Sequence, residues 1–366
     1  MNQTDFCGRA PIHLACESLS AAVLATLLKN GADPNLLTEN GFRALDIACS
    51  AKAETSLRYI AYSVPNVRAK GNQEIVEMLL VHGADPNAFD SNGMASLHHT
   101  CNSQNAAVVV VLLEQGANVN LPTKNGGTPL DIAFCTGDEK IICMLLEYGA
   151  DANVFDSNGI ASLHRACISQ NAAAVAFLLE HGAHVNLPTK KGVLPLHTAS
   201  SKSEEIVHML LEHGADAKAF DDDGMASLHH ACNSQNAAIV AVLLEHGVDV
   251  NLPTKKGVPP LHIASSKGEE IVHMLLDHGA DANVLDVRTG ASPLHVACNT
   301  SMENVVRILL EHGADVNADV DVLGSAGLTP LHVALCYYDR RRSQGHFDYS
   351  VIRLLLQGGA DVNGFK

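Results

Sequence analysis

The sequence predicts an all-α solenoid of stacked helix–turn–helix units, linked by turn fingers of β-hairpin type. Three observations carry that expectation. A glycine at the end of an apolar run recurs at Gly31, Gly83, Gly116, Gly149, Gly182, Gly214, Gly247, Gly279, Gly313 and Gly359, with a period of 33 broken by long intervals of 52 and 46. A fixed period in this range is the signature of a repeat array. Each interval holds two short apolar segments rather than one long one. The units also account for essentially all 366 residues, so nothing is left for a separate domain.

Within a unit the order is constant. A turn such as Asp156-Ser157-Asn158-Gly159 comes first, followed by a first helix over Leu163-His164-Arg165-Ala166-Cys167. After a polar break comes a second helix, Ala174-Val175-Ala176-Phe177-Leu178-Leu179, closed by Gly182-Ala183. The closing glycine suits a helix C-terminus, where a left-handed conformation costs an ordinary side chain about 1 kcal/mol. Each helix has about two turns, short of the ~12–15 residues at which isolated helices become marginal in water. One unit cannot bury its own apolar face, so neighbours must stack into a continuous core. At helix spacings of about 8–10 Å, ten units would form a curved rod on the order of 90 Å long, with a long groove and no deep cavity.

Composition narrows the function classes. Apolar residues make up 47%, enough for a large core, while aromatics are few (6 Tyr, 9 Phe, no Trp). With 24 basic against 40 acidic residues, the formal charge is −16, which disfavours phosphate backbones, so nucleic acid is not an expected partner. The longest apolar run, Ala106 to Leu113, is eight residues, against about 20 for a membrane span. No basic start followed by an apolar stretch opens the chain. Cytoplasmic residence, with the nucleus as the other compartment of this kind, is the expectation.

The first helices carry the more specific signal: Thr128-Pro129-Leu130-Asp131, Ser292-Pro293-Leu294-His295 and Thr329-Pro330-Leu331-His332, with Pro195-Leu196-His197 and Pro260-Leu261-His262 as variants. This pattern resembles the ankyrin repeat, whose hallmark is Thr-Pro-Leu-His. Ten repeats are read, at 4–37, 38–89, 90–122, 123–155, 156–188, 189–220, 221–253, 254–285, 286–318 and 319–366. The resemblance implies protein partners bound along a concave face by turn tips and first helices. It also allows asparagine hydroxylation in the turns, for instance at Asn120, Asn186 or Asn251. Neither chain end shows a clear polar capping unit: either the terminal helices are poorly covered or the chain is part of a longer protein, the second being the expectation at the C-terminus.

A longer period lies on top. Ser103-Gln104-Asn105-Ala106-Ala107 returns from Ser169 and from Ser234, so repeats 3–8 are three copies of a two-repeat block, offset by 66 and 65. Departures from the pattern are local. Ala95-Ser96, Ala161-Ser162 and Ala226-Ser227 replace Thr-Pro, which is expected to loosen those turns, and Asp46 and Asp131 replace the motif histidine. Repeat 2 holds 19 extra residues around Ala51 to Gly71, including Tyr59 and Tyr62. Repeat 10 holds extra residues near Asp319 to Ala326 and around Tyr337 to Phe347, with Arg340, Arg341 and Arg342 in the second stretch. These insertions are loop candidates for function, since long insertions often carry it; a solvated exposed loop is the plainer reading of the arginines.

Twenty histidines raise a metal hypothesis, yet fourteen belong to the framework. Eight hold the motif position (His13, His98, His164, His197, His229, His262, His295, His332) and six precede a closing glycine (His82, His181, His213, His246, His278, His312). His-x-x-Cys pairs such as His13/Cys16 recur, but helices about 8–10 Å apart keep two such pairs from sharing one zinc. Six cysteines fill one small-residue slot of the first helix, as small hydrophobes. No phosphate loop, nucleophile elbow or metalloprotease helix occurs. No catalytic residue, metal or cofactor is therefore expected.

The candidate binding residues lie on the fingers and first helices. Acidic tips in repeats 3, 5 and 7, ending in Asp221 and Asp222, alternate with Lys124, with Lys190 and Lys191, and with Lys255 and Lys256. Lys202 and Lys267 extend the last two. Met94, Ile160 and Met225 follow the acidic tips, with His99, Arg165 and His230 in matching helix positions. Two readings stand open: neighbouring tips neutralise one another, or the alternation recognises an extended, complementary protein segment. The expected function is a non-enzymatic interaction scaffold or adaptor, as a monomer or within a larger assembly. The alternative is a regulatory or substrate-recruiting module of an enzyme complex, such as a ubiquitin ligase.

Overall fold

The computed structural model describes residues 4–50, 65–156, 158–319, 327–342 and 349–363, with only the backbone described over 65–71 and 341–342. Helices follow one another in pairs: α1 (Pro11–Glu17) and α2 (Ala21–Lys29), α3 (Ala44–Cys49) and α4 (Pro65–Val81), α5 (Ser96–Ser103) and α6 (Ala106–Glu114), α7 (Pro129–Thr136) and α8 (Glu139–Glu147), α9 (Ser162–Ser169) and α10 (Ala172–Glu180). The series continues with α11 (Pro195–Ala199) and α12 (Glu204–Glu212), α13 (Ser227–Ser234) and α14 (Ala237–Glu245), α15 (Pro260–Ser265) and α16 (Glu269–Asp277), α17 (Pro293–Thr300) and α18 (Glu303–Glu311), α19 (Pro330–Arg342) and α20 (Ser350–Gln357). Among the described residues the fingers form no sheet; isolated antiparallel bridges join Leu37 to Arg43 and Phe155 to Ala161. Each finger is closed instead by short backbone bonds, such as Asp90 N to Met94 O at 2.8 Å and Gly93 N to Asp90 O at 3.0 Å.

Two compact units emerge: Met1–Ala166 with Ala173–His184, and Cys167–Ala172 with Val185–Lys366. In the first, α1 packs on α3, α2 on α4, α5 on α7 and α6 on α8, burying Leu24, Ile75, Leu79, Leu112, Ile141 and Leu145 completely. In the second, each helix likewise packs on the one two places along, from α12 on α14 to α18 on α20, around Ile206, Leu210, Leu243, Leu275, Leu309 and Leu355. Every closing glycine has the left-handed conformation its position demands, with φ between 72° at Gly247 and 90° at Gly359.

The insertions depart from the loops expected of them. α4 begins at Pro65, so the last part of the repeat 2 insertion is helical. Proline's fixed φ suits the first helical position, where its missing N–H is an orphan anyway. Tyr59 and Tyr62 lie outside the described residues, as do 320–326 and 343–348. The arginine run does not sit in a loop either: α19 continues to Arg342, placing Arg340, Arg341 and Arg342 in its last turn, where cations suit the helix dipole. Arg340 is exposed, and its Nε donates to Cys336 O at 3.4 Å.

Neighbouring repeats are also stitched along the loops that follow the second helices. Asn120 Nδ2 donates to Gly149 O at 3.0 Å, and its Oδ1 accepts from Asp151 N at 2.7 Å. Asn35, Asn87, Asn153, Asn186, Asn251, Asn283 and Asn317 make the same two-bond bridge to the repeat that follows. The equivalent residue of repeat 6 is Lys218, whose side chain cannot both donate and accept, and there the ladder is broken. Replacing Lys218→Asn should restore both bonds, to Gly247 O and from Asp249 N. The expected outcome is a gain of about 1 kcal/mol in unfolding free energy, with slower hydrogen exchange at the Asp249 amide. An unchanged exchange rate would show that the bridge does not form.

Candidate protein-binding face

The face is built on a buried histidine. In repeat 1, His13 Nδ1 accepts from Ala10 N at 2.9 Å, fixing the helix start, and Nε2 donates to Leu36 O at 2.9 Å, at the stem of the next finger. His98 binds Ala95 N at 3.0 Å and Leu121 O at 2.9 Å, and His197 binds Leu194 N at 3.1 Å and Ala219 O at 2.9 Å. Both bonds need the neutral ring with the proton on Nε2. Burial favours that form: it lowers His98, His197, His262 and His295 below the ordinary 6.5, and His229 to about 4.

Ala-Ser in place of Thr-Pro therefore leaves the backbone cap standing, since Ala95 N and Ala226 N still reach His98 and His229 at 3.0 and 3.1 Å. What is lost is the hydroxyl–imidazole bond that Ser292 keeps with His295 at 2.7 Å and Thr329 with His332 at 2.9 Å. Asp46 and Asp131 do half of the histidine's work. Asp46 Oδ2 accepts from Arg43 N at 2.9 Å, and Asp131 Oδ2 accepts from Thr128 N at 2.8 Å and Thr128 Oγ1 at 3.0 Å. A carboxylate has no proton for the next finger's carbonyl, so the forward bond is missing. Asp46 Oδ1 accepts from Ser96 Oγ at 3.2 Å instead, while Asp131 Oδ1 is buried without a hydrogen-bond partner.

The finger bases of repeats 3, 5 and 7 share a second device. Asp90 Oδ1 accepts from Met94 N at 2.8 Å and Oδ2 pairs with His99 Nε2 at 3.0 Å. Asp221 does the same with Met225 N at 2.8 Å and His230 Nε2 at 2.8 Å. In repeat 5, Asp156 accepts from Ile160 N at 2.9 Å and is paired with Arg165. All three carboxylates are buried, so Asp221 is not the exposed tip charge expected of it. Asp222 remains at the exposed tip, while Met94, Ile160, Met225, His99, Arg165 and His230 are half-buried.

The lysines divide differently. Lys124, Lys190, Lys191, Lys202, Lys255 and Lys256 are exposed, and Lys267 is half-buried. Adjacent fingers are joined through the backbone: Lys124 N donates to Gly93 O at 3.2 Å, Asp222 N to Lys191 O at 3.3 Å and Lys255 N to Gly224 O at 2.9 Å. Three of the ammonium groups reach main-chain carbonyls: Lys124 to Ser91 O at 3.4 Å, Lys202 to Ile168 O at 3.4 Å and Lys255 to Asp221 O at 3.5 Å. Among the described residues none of the tip lysines forms an ion pair with a carboxylate.

Sequence reading passed over the apolar neighbours of these charges. Phe89 and Phe155 stand 41% and 40% exposed at the finger stems, and Phe220 lies under Lys255 Nζ, which is 5.8 Å from its ring centre. Their spacing of 66 and 65 residues is the signal that could have found them. Ile47, Ile132 and Ile263, half-buried, hold in other repeats the helix position of His99, Arg165 and His230.

His197, Asp221 and His230 are the one group of three or more among the described residues whose ligand-type atoms lie within 4.8 Å of one another. The set does not fit a metal. Ligation through His197 Nε2 needs the proton on Nδ1, whereas the bond from Leu194 N needs Nδ1 bare. The helix cap and the metal thus demand opposite tautomers.

The two carboxylates Asp131 and Asp156 titrate in opposite senses. Burial raises Asp131 above the ordinary 3.8, against the bonds from Thr128. For Asp156 burial also pushes upward, but the bonds from Ile160 N and Arg165 outweigh it and hold the group low. A raised carboxyl contributes stability below 3.8 that is lost as pH rises through its folded value; a lowered one contributes stability above 3.8 that is lost as pH falls through its folded value. Asp131→Asn should therefore gain on the wild type between about pH 4 and pH 7. Asp156→Asn should be less stable at pH 7 by about 1–3 kcal/mol, with the gap closing as pH falls below 3.8. Denaturant unfolding across this range checks both; parallel curves would contradict the assignment.

A family model for ankyrin repeats (3 copies) matches residues 66–156, 148–221, 215–286 and 280–365, and a single-repeat model matches 7–39 and 40–91. Among solved structures the chain is similar to the ankyrin repeat domain of Bcl-3, described as a unique member of the IkappaB protein family. That likeness has a TM-score of 0.55 at 23% identity, over 65% of this chain and 99% of the other.

Proposed function

The chain belongs to the ankyrin-repeat family, a family of protein-interaction modules, and from that premise we propose that it is a non-enzymatic adaptor binding an extended protein segment. The segment lies across the fingers and first helices, and in the second unit it engages Lys190, Lys191, Lys255 and Lys256. The observation that carries this reading is that these cations are exposed and have no carboxylate partner among the described residues. Side chains that neutralised one another would be satisfied already; these are left to meet acidic groups of a partner, with Asp222 between the two pairs enforcing register. Phe220, whose ring lies under Lys255 Nζ, offers apolar area, which a charge-only surface would lack.

Burial pushes the thiols of Cys16, Cys49, Cys167, Cys232 and Cys298 up to about 12, so they pack as hydrophobes rather than react. That usage suits a reducing compartment, and the reading places the adaptor in the cytoplasm.

The test is a quantitative pull-down with the wild type and a variant carrying Lys190→Glu, Lys191→Glu, Lys255→Glu and Lys256→Glu. Specific partners should be retained by the wild type and depleted by at least about tenfold with the variant, corresponding to 1.4 kcal/mol. Their binding to the wild type should weaken with salt. Equal capture by a variant with unchanged circular dichroism would contradict the assignment of this face.

A further inference from the structure

The histidines that close the second helices share a geometry that helix capping alone does not need. In all six the Nδ1 atom lies against the carbonyl four residues back: His82 on Met78 O, His181 on Phe177 O, His213 on Met209 O, His246 on Val242 O and His278 on Met274 O at 2.8 Å, and His312 on Ile308 O at 2.9 Å. A carbonyl only accepts, so Nδ1 holds the proton, and in the neutral ring Nε2 carries a lone pair directed away from the helix. An imidazole held through Nδ1–H to a carbonyl, with Nε2 bare, is arranged as a metal ligand with its outer partner in place. The motif histidines have the opposite tautomer.

At one of these positions further ligand-type groups gather. His312, at the end of α18, has Nε2 3.8 Å from Asp277 Oδ1, on the last residue of the neighbouring α16. Asp277 Oδ2 is 2.8 Å from His273 Nδ1, one turn earlier on the same helix face. The two imidazoles stand 5.6 Å apart, nearly edge to face at 78°. Their side chains are accessible, with Asp277 53% and His312 30% exposed. Glu269, Glu270 and His278 join His273 and Asp277 around an open depression of about 630 Å³, adding negative charge. The histidine pair recurs in α12 and α14, where His208 Nδ1 is 3.7 Å from Glu212 Oε1 and the His246 ring stands 5.0 Å from the His208 ring at 83°, but there, among the described residues, no imidazole–carboxylate ion pair crosses between the two helices.

We propose that His312 Nε2 and Asp277 Oδ1 bind a divalent transition-metal ion of the zinc or nickel type across α16 and α18. Two ligands each about 2.0–2.2 Å from one ion can stand up to about 4.2 Å apart, so the observed 3.8 Å spans a single ion. An imidazole with a carboxylate suits zinc or nickel, whereas magnesium and calcium take oxygen ligands. His273 is a positioning residue: its Nδ1–H holds the far oxygen of Asp277 and leaves the near one for the metal. Water completes the coordination. Because the ion bridges second helices of consecutive repeats, it binds the folded array and stabilises it.

Titration of the full chain with Zn²⁺, followed by calorimetry and thermal melting, tests this, with Mg²⁺ as the hard-ion control. The wild type should bind one ion at this site and melt higher with Zn²⁺ but not with Mg²⁺. His312→Gln keeps a donor for Ile308 O and should abolish that binding. His273→Ala should weaken it about 10–100-fold. Melting without metal, unchanged in these variants, shows that the fold is intact. Zn²⁺ binding that survives His312→Gln, binding lost instead in His230→Ala, equal response to Mg²⁺, or no binding below about 1 mM would each overturn the proposal.

Discussion

The structure depends on one constraint: no repeat can bury its own apolar surface. Helices such as α11, with 5 residues, or α1, with 7, cannot persist alone in water. Their side chains become core only when the next pair covers them, as Leu243 is covered between α12, α14 and α16. Non-directional burial would hold the repeats together without fixing their register. Register comes from directional bonds that leave one repeat and end on the next, chiefly the motif histidine's reach to the following finger and the asparagine bridge along the opposite loops. The first is buried and the second exposed, so the first is worth more per bond, because leaving a buried polar group unpaired costs about 1–3 kcal/mol.

The presented face follows from that scaffold. Fingers such as that of repeat 7, reached by His197 at Ala219 O, are anchored by the histidine of the preceding repeat. Those of repeats 3 and 5 follow Asp46 and Asp131 and lack that bond, and in all three a buried aspartate is held to His99, Arg165 or His230. The acidic character of these fingers is thereby divided: one carboxylate is spent internally, and only residues such as Asp222 and Asp223 reach solvent. The lysine fingers have no such internal partner. The charge pattern at these fingers is therefore more basic than the linear sequence implies, although the chain as a whole keeps its net charge of −16.

Much of the fold was legible. A glycine every 33 residues, followed by a polar loop, marks a left-handed helix end, and the ten glycines all adopt it. Helix pairing followed from apolar segments too short to stand alone. The insertions were legible in position but not in conformation, because the helical continuation of α19 through Arg342 depends on length and docking rather than on pattern. The site was less legible. Which of three consecutive aspartates turns inward at 221–223 is decided by the finger's backbone bonds, and composition does not report that. That Asp46 and Asp131 accept the cap bond while losing the forward one is not legible from the substitution alone, since residue type does not show where a carboxylate's two oxygens point. The tautomers of the two histidine classes, opposite in sense, are visible only once each ring nitrogen has a partner.

The most direct test of this account asks whether one buried imidazole couples two repeats. Native-state hydrogen exchange on His197→Ala would follow amide protection at its own helix start and around the Ala219 stem of the following finger. If the histidine sets register, protection falls in both places together, from Leu194 into the finger over Asp221 to Met225, while the α18 and α20 core keeps its protection. Loss confined to the α11 start, with the following finger as protected as in the wild type, would contradict the claim that these bonds hold the array in register.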